Sequence, residues 1–234
     1  MNRPSVAQIA IIALTALCMT ACAQQSTYRD LGTSLSNWQN VYNDGEAKIV
    51  GDEIHLISTK NWFYLSKDRF GDFELEAEVL MPDVEEYSNS GFIFRAQVGE
   101  KENGRYAYGY QAEVDPSDRK WSGGLYDQGT ERKWLHPIHP ERSKPDEHFR
   151  QNLSGEWDET KSNAYQHLEW NHYKVRAVGS EIKIWVNGVL TTNVIDTTRS
   201  EGHIGIQHHG SKAFVASGDR TNTVRFRNIQ VKAL

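Results

Sequence analysis

The segment Phe73-Glu-Leu-Glu-Ala-Glu-Val79 alternates strictly between apolar and acidic side chains. Successive side chains of a β-strand point to opposite faces. The alternation therefore puts Phe73, Leu75, Ala77 and Val79 on one face and Glu74, Glu76 and Glu78 on the other. A helix would scatter the same set around its circumference. The rhythm recurs: Phe92, Phe94 and Ala96 share parity, as do Tyr108, Tyr110, Ala112 and Val114. Tyr173, Val175 and Ala177 follow it, then Ile182, Ile184 and Val186, then Ile204 and Ile206. Asn187-Gly188, directly after one of these runs, is a strong signal for a two-residue hairpin turn. Val224 and Phe226 have one parity and Ile229 and Val231 the other, which predicts a bulge near Asn228. No long amphipathic helix and no internal repeat is visible, and 234 residues suffice for one core. The expected fold is all-β: one antiparallel β-sandwich of the jelly-roll kind.

The N-terminus follows a different logic. Arg3 is the sole charge before Arg29, and Val6 to Leu17 is almost wholly apolar. A charged start, a short apolar stretch and small residues make a secretory signal, too short for a spanning helix. Both cysteines, Cys18 and Cys22, lie here, so the exported part has no disulfide. Met19-Thr-Ala-Cys22 resembles a bacterial lipobox, whose Cys becomes the lipidated first residue. The expected organisation is a lipoprotein signal over 1–22, a polar tether over 23–36 and a single sandwich domain over 37–234. The membrane is met through the lipid anchor alone, from an outer-membrane or periplasmic position.

Lys plus Arg number 26 against 31 Asp plus Glu, a formal net charge of -5. Nucleic-acid binding, which needs a dense basic face, is not expected. Seven Trp and ten Tyr in a charged chain point instead to aromatic-rich surfaces.

Asp115 to Arg150 breaks the strand rhythm. It holds Pro116, Pro137, Pro140 and Pro145, four of the six prolines, together with Trp121, Tyr126, Trp134, Arg119, Arg132, His136 and His139. Long irregular loops in compact domains are usually functional, and this one is the expected rim of a binding cleft. Just before it, Glu113 and Asp115 fall on one face of a strand, about 6.6 Å apart. Neighbouring carboxylates split their pKa values, which suits acid–base work or a cation site. In Gly202-His-Ile-Gly-Ile-Gln-His-His-Gly210, the residues His203, Gln207 and His209 share a polar face, and Gly205 leaves room for a ligand. The spacing is not that of a zinc site. Trp121-Ser-Gly-Gly-Leu-Tyr-Asp127 pairs glycines with aromatics, as either a stacking surface or a packed strand bend. Arg95, opposite in parity to Phe92 and Phe94, faces a cleft or pairs with a glutamate. There is no phosphate loop, dinucleotide fingerprint, Gly-x-Ser-x-Gly elbow or His-Glu-x-x-His, so no nucleotide or organic cofactor is expected.

Seven segments in register resemble the bacterial 3-keto-disaccharide hydrolase family. They are Asn89-Ser-Gly-Phe-Ile-Phe-Arg95, Tyr110-Gln-Ala-Glu-Val-Asp115, Ser122-Gly-Gly-Leu-Tyr-Asp127, Glu169-Trp-Asn-His-Tyr173, Trp185-Val-Asn-Gly188, Gly205-Ile-Gln-His-His-Gly210 and Phe226-Arg-Asn-Ile229. The resemblance covers nearly all of the body, from about Trp38 to Val231. Many members carry the acidic residue directly after the Tyr, whereas here Gln111 and Ala112 intervene before Glu113. The resemblance implies a concanavalin A-like jelly roll acting on 3-keto-glycosides. A ketone at C3 acidifies the C2 hydrogen, a base removes it, the enolate expels the C1 substituent, and water adds back. It points to Glu113 as base or metal ligand, Asp115 as its partner, and His209 with Gln207 completing the site. Arg95 would polarise the ketone, and Trp121, Tyr126, Asp127 and Trp134 would hold the sugar. A divalent metal on Glu113, Asp115 and His209 is one source of the positive charge an enolate needs. Two other readings stay open. Glu113-x-Asp115-x-x-Asp118 is close to the acidic strand motif of retaining jelly-roll endo-glycanases. A non-catalytic carbohydrate-binding sandwich would use the same aromatics.

Overall fold

The computed structural model describes residues 27–234. The N-terminal signal, Cys18 and Cys22 lie outside them. Two antiparallel sheets face each other. In the first, the order is β11 (Phe149–Asn152), β14 (Val189–Asp196), β13 (Glu181–Val186), β12 (Asn171–Val178), β6 (Phe73–Leu80), β16 (Val224–Ala233), β4 (Glu53–Ile57) and β3 (Glu46–Val50). The short β1 (Arg29–Asp30) also pairs with β16. In the second, the order is β10 (Lys133–His136), β9 (Leu125–Gln128), β8 (Gly104–Val114), β7 (Ser90–Lys101), β15 (Gly202–His208), β5 (Trp62–Phe70) and β2 (Trp38–Asn40). Two short helices, α1 (Glu159–Ser162) and α2 (Lys212–Ser217), sit in connections. Among the described residues no helix is long and apolar enough to cross a membrane.

Alternation governs the packing. Phe73, Leu75, Ala77 and Val79 are buried in the main core. Glu74, Glu76 and Glu78 form a charge ladder on the outer face, where Lys174 reaches Glu74 at 2.9 Å and Glu76 at 3.2 Å. Phe92, Phe94, Tyr110, Ala112, Val114, Ile204 and Ile206 supply the facing layer. Asn187 and Gly188, both at positive φ, make the expected β13–β14 turn. The bulge expected near Asn228 falls between Arg227 and Gln230.

The tether was drawn too long: Leu31 is fully buried and its amide donates to the Ile229 carbonyl at 2.8 Å, while β1 pairs with β16. The domain therefore begins near Arg29, and one apolar residue among polar ones was too faint a signal. Ala96 does not share a face with Phe92 and Phe94. Arg95 adopts φ 46° within a bulge between Phe94 and Gln97, which turns Ala96 outward. There it joins Val41, Phe63, Leu65, Ile93 and Ala107 in a second small core on the outer face of the second sheet. That cluster fills one end of this face and leaves the other end open.

Candidate functional site

The open end is a cavity of about 310 Å³ on the outer face of the second sheet. Its floor comes from strand residues whose parity points away from the core: Gln111 and Glu113 on β8, and Gln207 on β15. Tyr126 and Gln128 on β9 and Lys133 and Trp134 on β10 form one wall. Asn89, Tyr87 and His209 form the opposite one, and Arg119, Glu141 and Arg142 close the mouth from the proline-rich loop. That loop is less irregular than its sequence suggested, since it carries β9 and β10.

Glu113 is 6% exposed. Asn89 donates to its Oε1 at 2.8 Å and Gln111 to its Oε2 at 3.0 Å. Burial pushes its pKa up to about 8; the Asn89 hydrogen bond opposes this, the Asp115 charge adds to it and Arg119 counteracts it. Asp115 lies past the end of β8, fully buried. Its Oδ1 accepts from the Ser117 amide at 3.1 Å and its Oδ2 from Arg119 Nε at 2.9 Å. Arg119 also donates to the Tyr87 hydroxyl at 3.2 Å. The His209 ring stands edge-on to Tyr87 at 5.3 Å. Desolvation, reinforced by Arg119, holds its pKa below the ordinary histidine value, so the ring is neutral near pH 7.

Of the residues singled out from sequence, Glu113, Tyr126, Trp134, Gln207 and His209 line this cavity. Trp121 backs Trp134 edge-to-face at 4.8 Å. Asp115 lines the neighbouring cavity with Asp118 and Tyr165. Arg95 and Asp127 do not reach the site. The Arg95 bulge sends its guanidinium to the far end of the sandwich, where it donates to the carbonyls of Gly71, Gly179 and Arg199 and to Asp72. Asp127 has the inward parity of Leu125. It pairs with Arg132 at 3.1 Å and Arg199 at 2.8 Å, and Arg132 in turn bonds Asp196 and Asp146. This buried cluster staples the β9–β10 hairpin and the proline-rich loop to the sandwich. His203 keeps the outward parity of Gln207 but sits at the far end of β15, opposite Arg69 and Ala96, and does not line the cavity. Gly205 serves packing: a Cβ there would meet Ile93 and Leu65 at 2.7 Å. Gly123 and Gly124 likewise abut Thr191, Val186 and the His136 carbonyl, the packed-bend reading.

Among the described residues no group of three or more His, Cys, Asp or Glu is placed to hold a metal ion. Glu113, Asp115 and His209 do not converge, and the carboxylates are engaged by amides and a guanidinium. The donor set does not fit a metal. The endo-glycanase motif is not assembled either, because Asp118 is exposed and belongs to the neighbouring cavity.

Sequence reasoning missed Asn89 and Gln111 as site residues, and read Arg119 only as part of the cleft rim. Gln111 carries the same parity as Glu113, which was a usable signal. Tyr87, Glu141 and Arg142 come from loops and had none.

A family model described as the 3-keto-alpha-glucoside-1,2-lyase-like domain matches residues 29–232. No curated protein matches the chain. Among solved structures it is similar to the carbohydrate-binding module CBM66 from Bacillus subtilis, with 17% identity, 84% of this chain and 96% of that one covered, and a TM-score of 0.53. A candidate glycosyl hydrolase from Parabacteroides distasonis gives 14% identity, coverage of 88% and 94%, and a TM-score of 0.55. A galectin-like-fold protein of unknown function from Bacillus subtilis gives 10%, 88% and 94%, and 0.53. These likenesses establish the jelly-roll fold.

Proposed function

This chain belongs to the 3-keto-alpha-glucoside-1,2-lyase-like family, and from that premise we propose that it cleaves 3-keto-glycosides by elimination across C1–C2 followed by rehydration. The observation that carries the reading is Glu113: a single carboxyl group at the floor of a sugar-sized cavity, buried and held by two amides. Its raised pKa places the carboxylate near the strength a general base needs around neutral pH. Glu113 takes the C2 proton. The electron pair passes into the C3 ketone as an enolate and returns to expel the C1 oxygen, leaving a conjugated enone. Water adds at C1 and a proton returns to C2, so the net change is hydrolysis. Arg119 and Arg142 at the cavity mouth supply positive charge for the enolate, the part Arg95 was expected to play. Half-buried Tyr126, backed edge-to-face by the buried Trp134, offers an aromatic surface for the sugar ring.

The family assignment and the fold support a carbohydrate ligand; the ketone requirement is the testable core. A 3-keto-glucoside labelled with deuterium at C2 is incubated with the protein in ordinary water beside its unoxidised parent. Loss of the label from the released sugar, with the parent untouched, is expected. Retention of the label, or equal cleavage of the parent, refutes elimination, and binding without turnover of either compound would make the domain a carbohydrate-binding sandwich.

The N-terminal segment bears on where this happens. We infer export and lipidation at Cys22 from its lipobox-like setting. Mass spectrometry of the mature protein should find diacylated Cys22 as the first residue, and Cys22→Ser should leave the chain unanchored.

A further inference from the structure

Beneath the cavity runs a line of side-chain amides. Gln207 donates from Nε2 to Asn61 Oδ1 at 2.8 Å. Gln111 donates from Nε2 to Gln207 Oε1 at 2.8 Å and to Glu113 Oε2 at 3.0 Å, and the same nitrogen lies 3.4 Å from the Ser90 carbonyl. Three acceptors around one atom fix that end of Gln111 as its nitrogen, because an oxygen there would face three oxygens. The opposite end has an uncompensated cost: Gln111 Oε1 is buried with no hydrogen-bond partner. A buried acceptor left unpaired is rare and calls for a reason. Here the reason is orientation. The amide is turned so that its donor meets the carboxylate, and what holds it turned is the Gln207 oxygen, itself oriented by Asn61.

We infer that Asn61, Gln207 and Gln111 form a relay of oriented amides that positions the Glu113 carboxylate and keeps a donor on it. Gln207 and Asn61 are thus positioning residues that act through Gln111. This rests on Glu113 being the base, and it assigns to Gln207 a role other than holding sugar. The physical logic is directional. If Asn61 no longer fixes Gln207, its amide is free to turn its nitrogen toward Gln111. Gln111 then turns as well and presents Oε1 to Glu113, which favours the protonated acid over the carboxylate. The other groups facing Glu113 are Asp115 and Arg119 from the following loop, Tyr87 and His209 across the cavity, Tyr126 on β9 and Tyr173 on β12. None of them touches Asn61 through a hydrogen bond, so a change at Asn61 reaches Glu113 by way of the amides.

The test reads the carboxyl directly. The full chain is labelled with carbon-13 at the glutamate δ carbon, the Glu113 signal is identified by its loss in Glu113→Gln, and its titration is followed without substrate. In Gln207→Leu and Asn61→Ala the midpoint should move upward by about one pH unit, the scale of a lost charge-assisted hydrogen bond. The acid limb of the pH–rate profile should move with it. Unchanged midpoints in folded variants overturn the relay. Asn61 is half-buried in the connection just before β5, so Asn61→Ala decides the matter should Gln207→Leu not fold. Because the titration needs no turnover, a failed relay and a failed elimination mechanism give separate results.

Discussion

Arg119 reaches back four residues to set its Nε 2.9 Å from Oδ2 of Asp115. The pair neutralises the carboxylate nearest to Glu113 and, through the Tyr87 hydroxyl, ties the loop before β7 to the loop after β8. Without it, the Asp115 charge would oppose the ionisation of Glu113 more strongly. With Arg119 in place, the charge on Asp115 is spent on a partner, and Glu113 is left as the group that titrates into the cavity.

Arg119→Met removes that partner and keeps most of the packing. Glu113 then faces an uncompensated Asp115 charge, and its pKa rises further. The rate at neutral pH should fall roughly tenfold for each unit of that rise, with the acid limb of the profile displaced upward. A pH–rate profile measured on a 3-keto-glucoside checks this. A loss of rate that is equal at all pH values would show that Arg119 acts on the enolate alone and not also through Glu113.

Arg95 carries a prediction of the opposite kind. Its guanidinium is fully buried and satisfies three loop carbonyls at the end of the sandwich remote from the cavity. Arg95→Met leaves those acceptors unpaired. Denaturant unfolding should show a loss on the order of 3 kcal/mol. The folded fraction should keep its kcat and KM, and a changed KM would return Arg95 to the site.

Gly205 tests the assignment of the second small core. An added methyl group meets Ile93, Leu65 and the Tyr64 carbonyl in a closely packed layer. Gly205→Ala should cost about 1–3 kcal/mol through overpacking, with substrate affinity of the folded protein unaltered. A selective loss of affinity at full stability would mean that the glycine makes room for the ligand after all.

These cases show where the sequence was legible. Alternation depends on the backbone period alone, so the strands, the core face and the outward parity of Glu113 and Gln207 could be read directly. Parity fails wherever a bulge inserts a residue. Counting through the β7 bulge, which no local residue announces, puts Arg95 on the wrong surface, whereas His203 keeps its outward parity and misses the cavity only because it lies at the far end of β15. Asp127 was grouped with its aromatic neighbours although its parity with Leu125 pointed inward. Its partner Arg132 lies in the adjoining β9–β10 turn, but Arg199 and Asp196, which complete the cluster, come from the end of β14 and the connection after it, and only the assembled sheets bring them there. Residues such as Tyr87 and Arg142 reach the cavity through loop paths, which composition does not determine.

Glu113 supplies the last prediction, in two parts that depend on one quantity. Its pKa is about 8 in the folded chain and about 4.3 in an unfolded one. Between those values the folded state holds a proton that the unfolded state has released. Stability contributed by this group is therefore fully present at pH 4, falls as pH rises, and is lost by the time pH passes about 8. Glu113→Gln removes the titration while keeping the shape and the hydrogen-bonding capacity. The variant should match the parent near pH 4 and exceed it at pH 9 by a few kcal/mol, read as a difference in melting temperature that widens with pH. Its turnover of a 3-keto-glucoside should fall by about 10²-fold or more, because the amide cannot accept the C2 proton. In the parent, the rate should climb with pH through about 8 as the carboxylate forms. A stability difference that does not depend on pH would show that Glu113 titrates alike in the folded and unfolded chain and would remove the basis for its strength as a base. Near-normal turnover in Glu113→Gln, with the expected stability difference intact, would keep the buried acid and move the catalytic base elsewhere in the cavity.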